Sequence, residues 1–368
     1  MPIARDRKVP GDLAYRRGPA AGAPEPAWSH GHAVWRSGSS TNTRGSGICP
    51  RAFSQIEATA HSDVRPFARP CTLVGENGPV TPVTDTPLPA VTRLIATDLD
   101  GTLLRDDKTL SARTVAALAA AEEAGIEVFF VTGRPARWMD VVRTHVQSHG
   151  TAICANGAVV TDLRTEGGLL SVRALERDAA LHVVRTLREA APGTSFAVEM
   201  TTGINYEPAY PPFHLDPGAS VAVAEKLLHE DAPGVGAPVL KLLAHHTELA
   251  PDAFLDLART TAGDRASITR SSPSALLEVS GLGVSKATTL AACCAERGIA
   301  PAEVVAFGDM PNDIEMLGWA GASFAMGNAH PDALAAATGR TATNEEDGVA
   351  LVIERILAAR AQGRTEPC

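Results

Sequence analysis

From Val91 onward the sequence predicts an α/β fold: a doubly wound sheet of parallel strands, interrupted by an inserted α+β domain. Three observations carry this. Short apolar runs alternate with longer amphipathic stretches, the pattern of strand and helix in turn. The apolar runs end in polar or glycine residues, at the edge where open α/β sheets place their ligands. Between about Asp178 and Ser280 the alternation gives way to a different mixture of helix-like and strand-like segments.

Each element follows in order. Leu94-Ile95-Ala96-Thr97 reads as a buried strand. Ser111 to Ala124 reads as a helix with Ser111 as its cap, closed by Gly125. Ile126 to Val131 is the next strand, ended by Thr132-Gly133-Arg134, and Ala152-Ile153-Cys154 runs into the turn pair Asn156-Gly157. Within the insertion, helices are expected over Ala179 to Ala191 and Val221 to His229, with strands over Ser195 to Met200 and Val239 to Ala244. Strands return at Val304 to Phe307 and Ser323 to Met326. The expected division is a core of 91–177 and 281–360, an inserted domain of 178–280, and a flexible tail of 361–368. Residues 1–90 hold twelve of the 26 prolines and show no sustained period, so they read as a disordered extension.

Composition narrows the function. The formal charge is −9, and residues 1–90 carry ten Lys/Arg against seven Asp/Glu, so the remaining chain is the acidic part. An acidic body argues against a nucleic-acid partner, whose phosphates need a basic face. No apolar run reaches the roughly 18 to 20 residues of a membrane span. Arg16-Arg17 is followed by Gly, Pro and Ala, not by the apolar core of an export signal. The six cysteines have neither metal-ligand spacing nor the density of a secreted scaffold, which fits a reducing cytoplasm.

Two acidic clusters follow apolar strands. Asp98 and Asp100, two residues apart in extended chain, point the same way, and Gly101-Thr102 supplies a sharp turn and a hydroxyl to brace it. Asp-Gly is also a common turn. Asp309 and Asp313, in Gly308-Asp309-Met310-Pro311-Asn312-Asp313, form the second cluster; helix-start carboxylates are the plainer alternative. Converging carboxylates raise one another's pKa, so a hard cation is their natural partner, and Mg2+ suits a few oxygens with retained waters. Lysine is scarce, five in the chain, so Lys286 stands out. Its point charge suits an aspartate beside an incoming phosphate; a solvated helix-start lysine is the alternative. Thr132 and Gly133 offer a hydroxyl and a backbone amide suited to phosphate oxygens, or a simple turn.

Together, Asp98-Leu99-Asp100-Gly101-Thr102-Leu103-Leu104, Val131-Thr132-Gly133-Arg134-Pro135, Asn156-Gly157-Ala158, Gly283-Val284-Ser285-Lys286 and Gly308-Asp309-Met310-Pro311-Asn312-Asp313 resemble the haloacid dehalogenase superfamily. More narrowly they are similar to its Cof-type sugar-phosphatase branch, which has a Rossmann-like core and a large C2-type cap. The likeness extends to Met326-Gly327-Asn328-Ala329 and Asp347-Gly348-Val349, and covers about 91–358.

The resemblance implies an Mg2+-dependent phosphatase acting on a small phosphorylated metabolite. It implies that Asp98 attacks phosphorus to form an aspartyl-phosphate. Asp100 would protonate the leaving oxygen and later activate water. Asp98, the backbone carbonyl of Asp100 and Asp309 would hold the metal, with Asp313 ligating through water or orienting that shell. Thr132, with Gly133, and Lys286 would bind the phosphoryl group, with Asn312 nearby. Ala287 stands where the branch usually has glycine. A phosphomutase using the same aspartate, and a non-catalytic phosphate-binding module, are the alternative readings.

Specificity is expected within the cap. Asn205-Tyr206-Glu207, Tyr210 and His214 lie in a Pro-rich stretch that could face the site or be an ordinary surface loop. Lys241, inside Val239-Leu240-Lys241-Leu242-Leu243, needs an anionic partner or a path to water.

Overall fold

The computed structural model describes residues 86–145, 150–165, 168–211, 216, 218–229 and 236–363. The extension predicted over 1–90 therefore falls almost wholly outside the described residues, as does His214.

The chain builds two sheets. Five strands come first: β1 (Leu94–Thr97), β2 (Glu127–Val131), β3 (Thr151–Cys154), β4 (Val159–Asp162) and β5 (Leu169–Val172). Five more, β6 (Ser195–Met200), β7 (Gly203–Tyr206), β8 (Val239–His245), β9 (Ala266–Thr269) and β10 (Leu276–Gly281), form a separate antiparallel sheet in the order β7-β6-β8-β10-β9. The chain then returns with β11 (Val304–Gly308), β12 (Ala322–Ala325) and β13 (Gly339–Arg340). These complete an eight-stranded sheet ordered β13-β12-β11-β1-β2-β3-β4-β5.

The large sheet is parallel from β13 through β3, as expected of an α/β core. Its far edge differs: β4 is reversed and pairs antiparallel with both β3 and β5. The cause is local. Ala155, Asn156 and Gly157 all have positive φ, so the Asn156-Gly157 turn folds the chain straight back along β3.

Side chains of β1 alternate between faces, as a strand requires. Ile95 packs with Leu118 and Ala121 of the helix Ala112–Glu123 and with Ile353 of the helix Gly348–Gly363. Leu94 and Ala96 face the opposite layer, with Leu290, Cys294, Met316 and Leu317. Helices thus cover both faces of the sheet. Ser111 caps the first of them, accepting from the Thr114 amide at 2.9 Å. Cys154, Cys293 and Cys294 are buried free thiols. Among the described residues no helix is long and apolar enough to cross a membrane.

In the second sheet one face is closed by the helices Arg177–Ala190 and Pro251–Ala262. Ala180, Val183, Val184 and Leu187 recur at helical spacing and are buried against Phe196, Leu242 and Phe254. The helix expected over Val221 to His229 shrinks to Ala224–Leu227. Val221 instead bridges to Tyr206, consistent with the extended backbone preferred by β-branched residues.

Candidate active site

The order of the large sheet explains where the acidic clusters meet. The chain winds from β1 outward through β2 and β3, then returns beside β1 and winds the other way through β11, β12 and β13. Between β1 and β11 the connections diverge, leaving a crevice at the C-terminal strand ends. Asp98 follows β1, and Asp309 follows β11.

One ligand oxygen each from Asp98, Asp309 and Asp313 lies within 4.8 Å of the others, and all three residues are buried. Lys286, fully buried at the start of its helix, donates to Asp98 Oδ1 and to Asp313 Oδ1, both at 2.7 Å. The helix-start position is real, but the solvated lysine is excluded. Asp313 Oδ2 accepts from the backbone amides of Asp309 and Met310, each at 3.0 Å. Both of its oxygens are therefore engaged within the protein.

Burial, with the charges of Asp313 and Asp100, pushes the Asp98 carboxyl up to about 7, even though Lys286 opposes the shift. Burial and the charges of Asp98 and Asp313 push Asp309 well above the ordinary carboxylate range. Burial works against the Lys286 ammonium, yet its two carboxylate partners raise it above its usual value. One ammonium thus leaves three converging carboxylates underneutralised. An all-oxygen, hard donor set of this kind fits Mg2+.

Tight backbone geometry brings the two clusters together. Thr102 Oγ1 donates to Asp309 Oδ1 at 2.8 Å, so the hydroxyl that braces the first loop does so across to the second. Gly101 has φ +76°, and a Cβ there would fall 2.3 Å from Asp309 Oδ2. Asn328 donates to the Gly101 carbonyl at 2.8 Å.

Asp100 lies outside the three-carboxylate group. Arg134 grips it through Nε at 2.6 Å and Nη2 at 2.8 Å, and Lys108 Nζ sits 2.9 Å away. Burial alone would raise its pKa; the Arg134 hydrogen bonds and charge, with Lys108, pull it down to about 2. Neither Arg134 nor Lys108 shows this role in the sequence, although Arg134 lies within Val131-Thr132-Gly133-Arg134-Pro135.

Thr132 and Gly133 follow β2, beside β1. Their loop is tied to the turn after β3: the Asn156 amide donates to the Thr132 carbonyl and the Ala155 amide to the Arg134 carbonyl. Asn312 donates to Asn156 Oδ1 at 3.1 Å.

The second sheet docks onto this region. Lys241 forms a buried ion pair with Glu278 and donates to the Gly133 carbonyl at 2.8 Å. Its snorkelling alternative is thereby excluded. Glu278 accepts from Asn156 at 2.8 Å. Arg137 binds Glu199 through both terminal guanidinium nitrogens, Nη1 and Nη2, and Arg270 Nη2 lies 2.9 Å from His330 Nε2, whose residue's backbone amide donates to the Asp309 carbonyl. Tyr206 and Tyr210 stack with centroids 6.3 Å apart beside Leu243 and Leu276.

Residues 95–353 match the model of the haloacid dehalogenase-like hydrolases, well over half of the chain. The chain belongs to that family. Within it the chain is of the Cof type, and it is a hydrolase of phosphoric monoesters. It is 29% identical over 258 residues to a 5-amino-6-(5-phospho-D-ribitylamino)uracil phosphatase, YitU, of Bacillus subtilis, an alignment covering 70% of this chain and 94% of that one. It is 30% identical over 288 residues to the pyridoxal phosphate phosphatase YbhA of Escherichia coli, covering 71% and 97%. A solved haloacid dehalogenase-like hydrolase of B. subtilis superposes with a TM-score of 0.61 at 26% identity, covering 72% of this chain and 99% of its own.

Proposed function

We propose that this enzyme is an Mg2+-dependent phosphatase that hydrolyses a small phosphorylated metabolite, a sugar phosphate or similar phosphomonoester, through an aspartyl-phosphate on Asp98. The observation that carries the reading is the convergence of Asp98, Asp309 and Asp313 at adjoining strand ends, with the Lys286 ammonium bonded to Asp98 and Asp313. Residues 91–177 and 281–360 would form the catalytic core, and 178–280 the cap over it.

An Asp98 carboxylate oxygen attacks phosphorus and a new O–P bond forms while the ester O–P bond breaks. Asp100 gives its proton to the departing oxygen. Water then attacks the aspartyl-phosphate, Asp100 takes the proton, and inorganic phosphate leaves with Asp98 restored as a carboxylate. Arg134 and Lys108 hold Asp100 in the ionised form that the second half requires. For the first half Asp100 has to carry the proton it took from water in the preceding turnover, and the grip of Arg134 and Lys108 has to yield as that proton passes to the leaving oxygen. Lys286 neutralises the nucleophile and the arriving phosphoryl group, while Thr132, Gly133 and Asn312 contact its oxygens. Mg2+, held by Asp98, Asp309 and the Asp100 carbonyl and steadied by Asp313, would supply charge that lets an anionic nucleophile meet an anionic substrate.

The test is phosphate release by the purified chain across a panel of phosphorylated metabolites. Asp98→Asn is expected to lower turnover by at least about a thousandfold. Retained turnover in that variant contradicts the nucleophile, and isomerisation of a sugar phosphate without phosphate release makes the enzyme a mutase.

A further inference from the structure

Four buried polar side chains form a line from the second sheet into the phosphate site, and their donor and acceptor capacities permit only one arrangement. Lys241 donates to Glu278 Oε1. Glu278 Oε2 accepts from Asn156 Nδ2 at 2.8 Å, and Asn156 Oδ1 accepts from Asn312 Nδ2 at 3.1 Å. Relative exposures are 4% for Lys241, 4% for Glu278, 2% for Asn156 and 8% for Asn312, so water cannot readily replace any link.

A carboxylate only accepts and an ammonium only donates. Asn156 must therefore turn its NH2 toward Glu278, which leaves its oxygen toward Asn312. Asn312 must in turn offer its own NH2. One N–H of Asn312 is used on Asn156 and a second remains for a ligand, while Asn312 Oδ1 is buried with no hydrogen-bond partner among the described residues. An amide with a free choice would not keep an acceptor unpaired. Its orientation is imposed from the far end of the line.

The space around the line is closed too. A Cβ on Gly133 would lie 3.3 Å from both Asn156 Oδ1 and Glu278 Oε2. Lys241 also holds the Gly133 carbonyl, so the ion pair of the second sheet grips the loop and the amide relay at once.

We propose that Glu278 is a positioning residue for the phosphate site: through Asn156 it fixes which end of the Asn312 amide faces the substrate when the cap sheet is docked. The inference rests on reading Asn312 as a phosphate ligand. It makes phosphate binding sensitive to the docked cap through hydrogen-bond polarity, without direct contact between Glu278 and the phosphate.

The test is a polarity swap in the full-length enzyme. In Glu278→Gln, Lys241 claims the new amide's oxygen, the NH2 faces Asn156, and both asparagine amides invert. KM and the inhibition constant of inorganic phosphate are expected to rise about tenfold, the scale of one hydrogen bond exchanged for a mismatch. Adding Asn156→Asp restores the original polarity, because the new carboxylate accepts from both neighbours, and aspartate tolerates the φ of +56° at this position. The double variant is expected to return both constants to within about threefold of the parent.

Asn156→Gly cuts the line on the core side while leaving the Lys241–Glu278 pair, and is expected to raise both constants; it serves if Glu278→Gln does not fold. Asn312→Ala separates the two ideas. If it leaves both constants unchanged, Asn312 is not a phosphate ligand and the proposal falls with that reading. If it raises them while Glu278→Gln does not, or if the double variant shows no recovery, the relay is refuted and the ligand reading stands.

Discussion

Lys286 offsets part of the negative charge of the site, and the consequences can be measured residue by residue. Removing its ammonium leaves Asp98 and Asp313 buried and facing one another. Lys286→Met is expected to cost about 3–5 kcal/mol of stability at neutral pH, read from urea unfolding, and to abolish turnover. A variant as stable and active as the parent would contradict the buried triad. The raised carboxyls carry a second expectation. Asp98 titrates near 7 in the folded chain against 3.8 unfolded, and Asp309 is shifted the same way. Between those values the folded state holds protons that the unfolded chain has released, so without a divalent cation stability falls as pH rises from about 4 through 7. Mg2+ should stabilise most at the upper end, by about 2.7 kcal/mol at a hundredfold excess over its dissociation constant. Equal stabilisation at pH 5 and pH 8 would remove these carboxylates from the ligand set.

At the scale of elements, the turn after β1 is the sharpest constraint. Gly101→Ala places a Cβ in left-handed backbone and 2.3 Å from Asp309, so the loop and the facing carboxylate have to move apart. Backbone strain alone is worth about 1–2 kcal/mol. A fall in kcat of at least about tenfold is expected in a phosphate-release assay, and unchanged kcat would show that the loop adapts freely. The central strands and the Asp98 loop were legible because burial on both faces writes the strands as apolar runs and the polar residues sit at their ends. β5 was not: all four of its residues are exposed, so it carries no alternation. The partners of Asp100 were hidden for another reason. Arg134 lies 34 positions away and reaches Asp100 only because β1 and β2 are neighbours. Lys241 was half legible. An ammonium in an apolar strand announces the need for an anion, but Glu278 becomes that anion only once β8 and β10 pair.

For the molecule as a whole, the family match begins at residue 95, and the YitU alignment spans 94% of that phosphatase with 70% of this chain. Deletion of residues 1–85 is expected to leave kcat/KM for the best substrate within about twofold, since the family match lies wholly outside them. Loss of folding or turnover would show that the segment supports the fold. The order of the large sheet carries one more consequence. The hydrogen bond between Thr102 and Asp309 spans 207 residues, and that between Lys286 and Asp98 spans 188. Contacts of such sequence separation form late, because the loop between them must close first. During synthesis β1 emerges long before β11, and until then it is a bare hydrophobic edge paired on one side only, the kind of surface that draws other chains. The same winding that aligns the two acidic loops therefore leaves that edge of the nascent chain open until its last third is made.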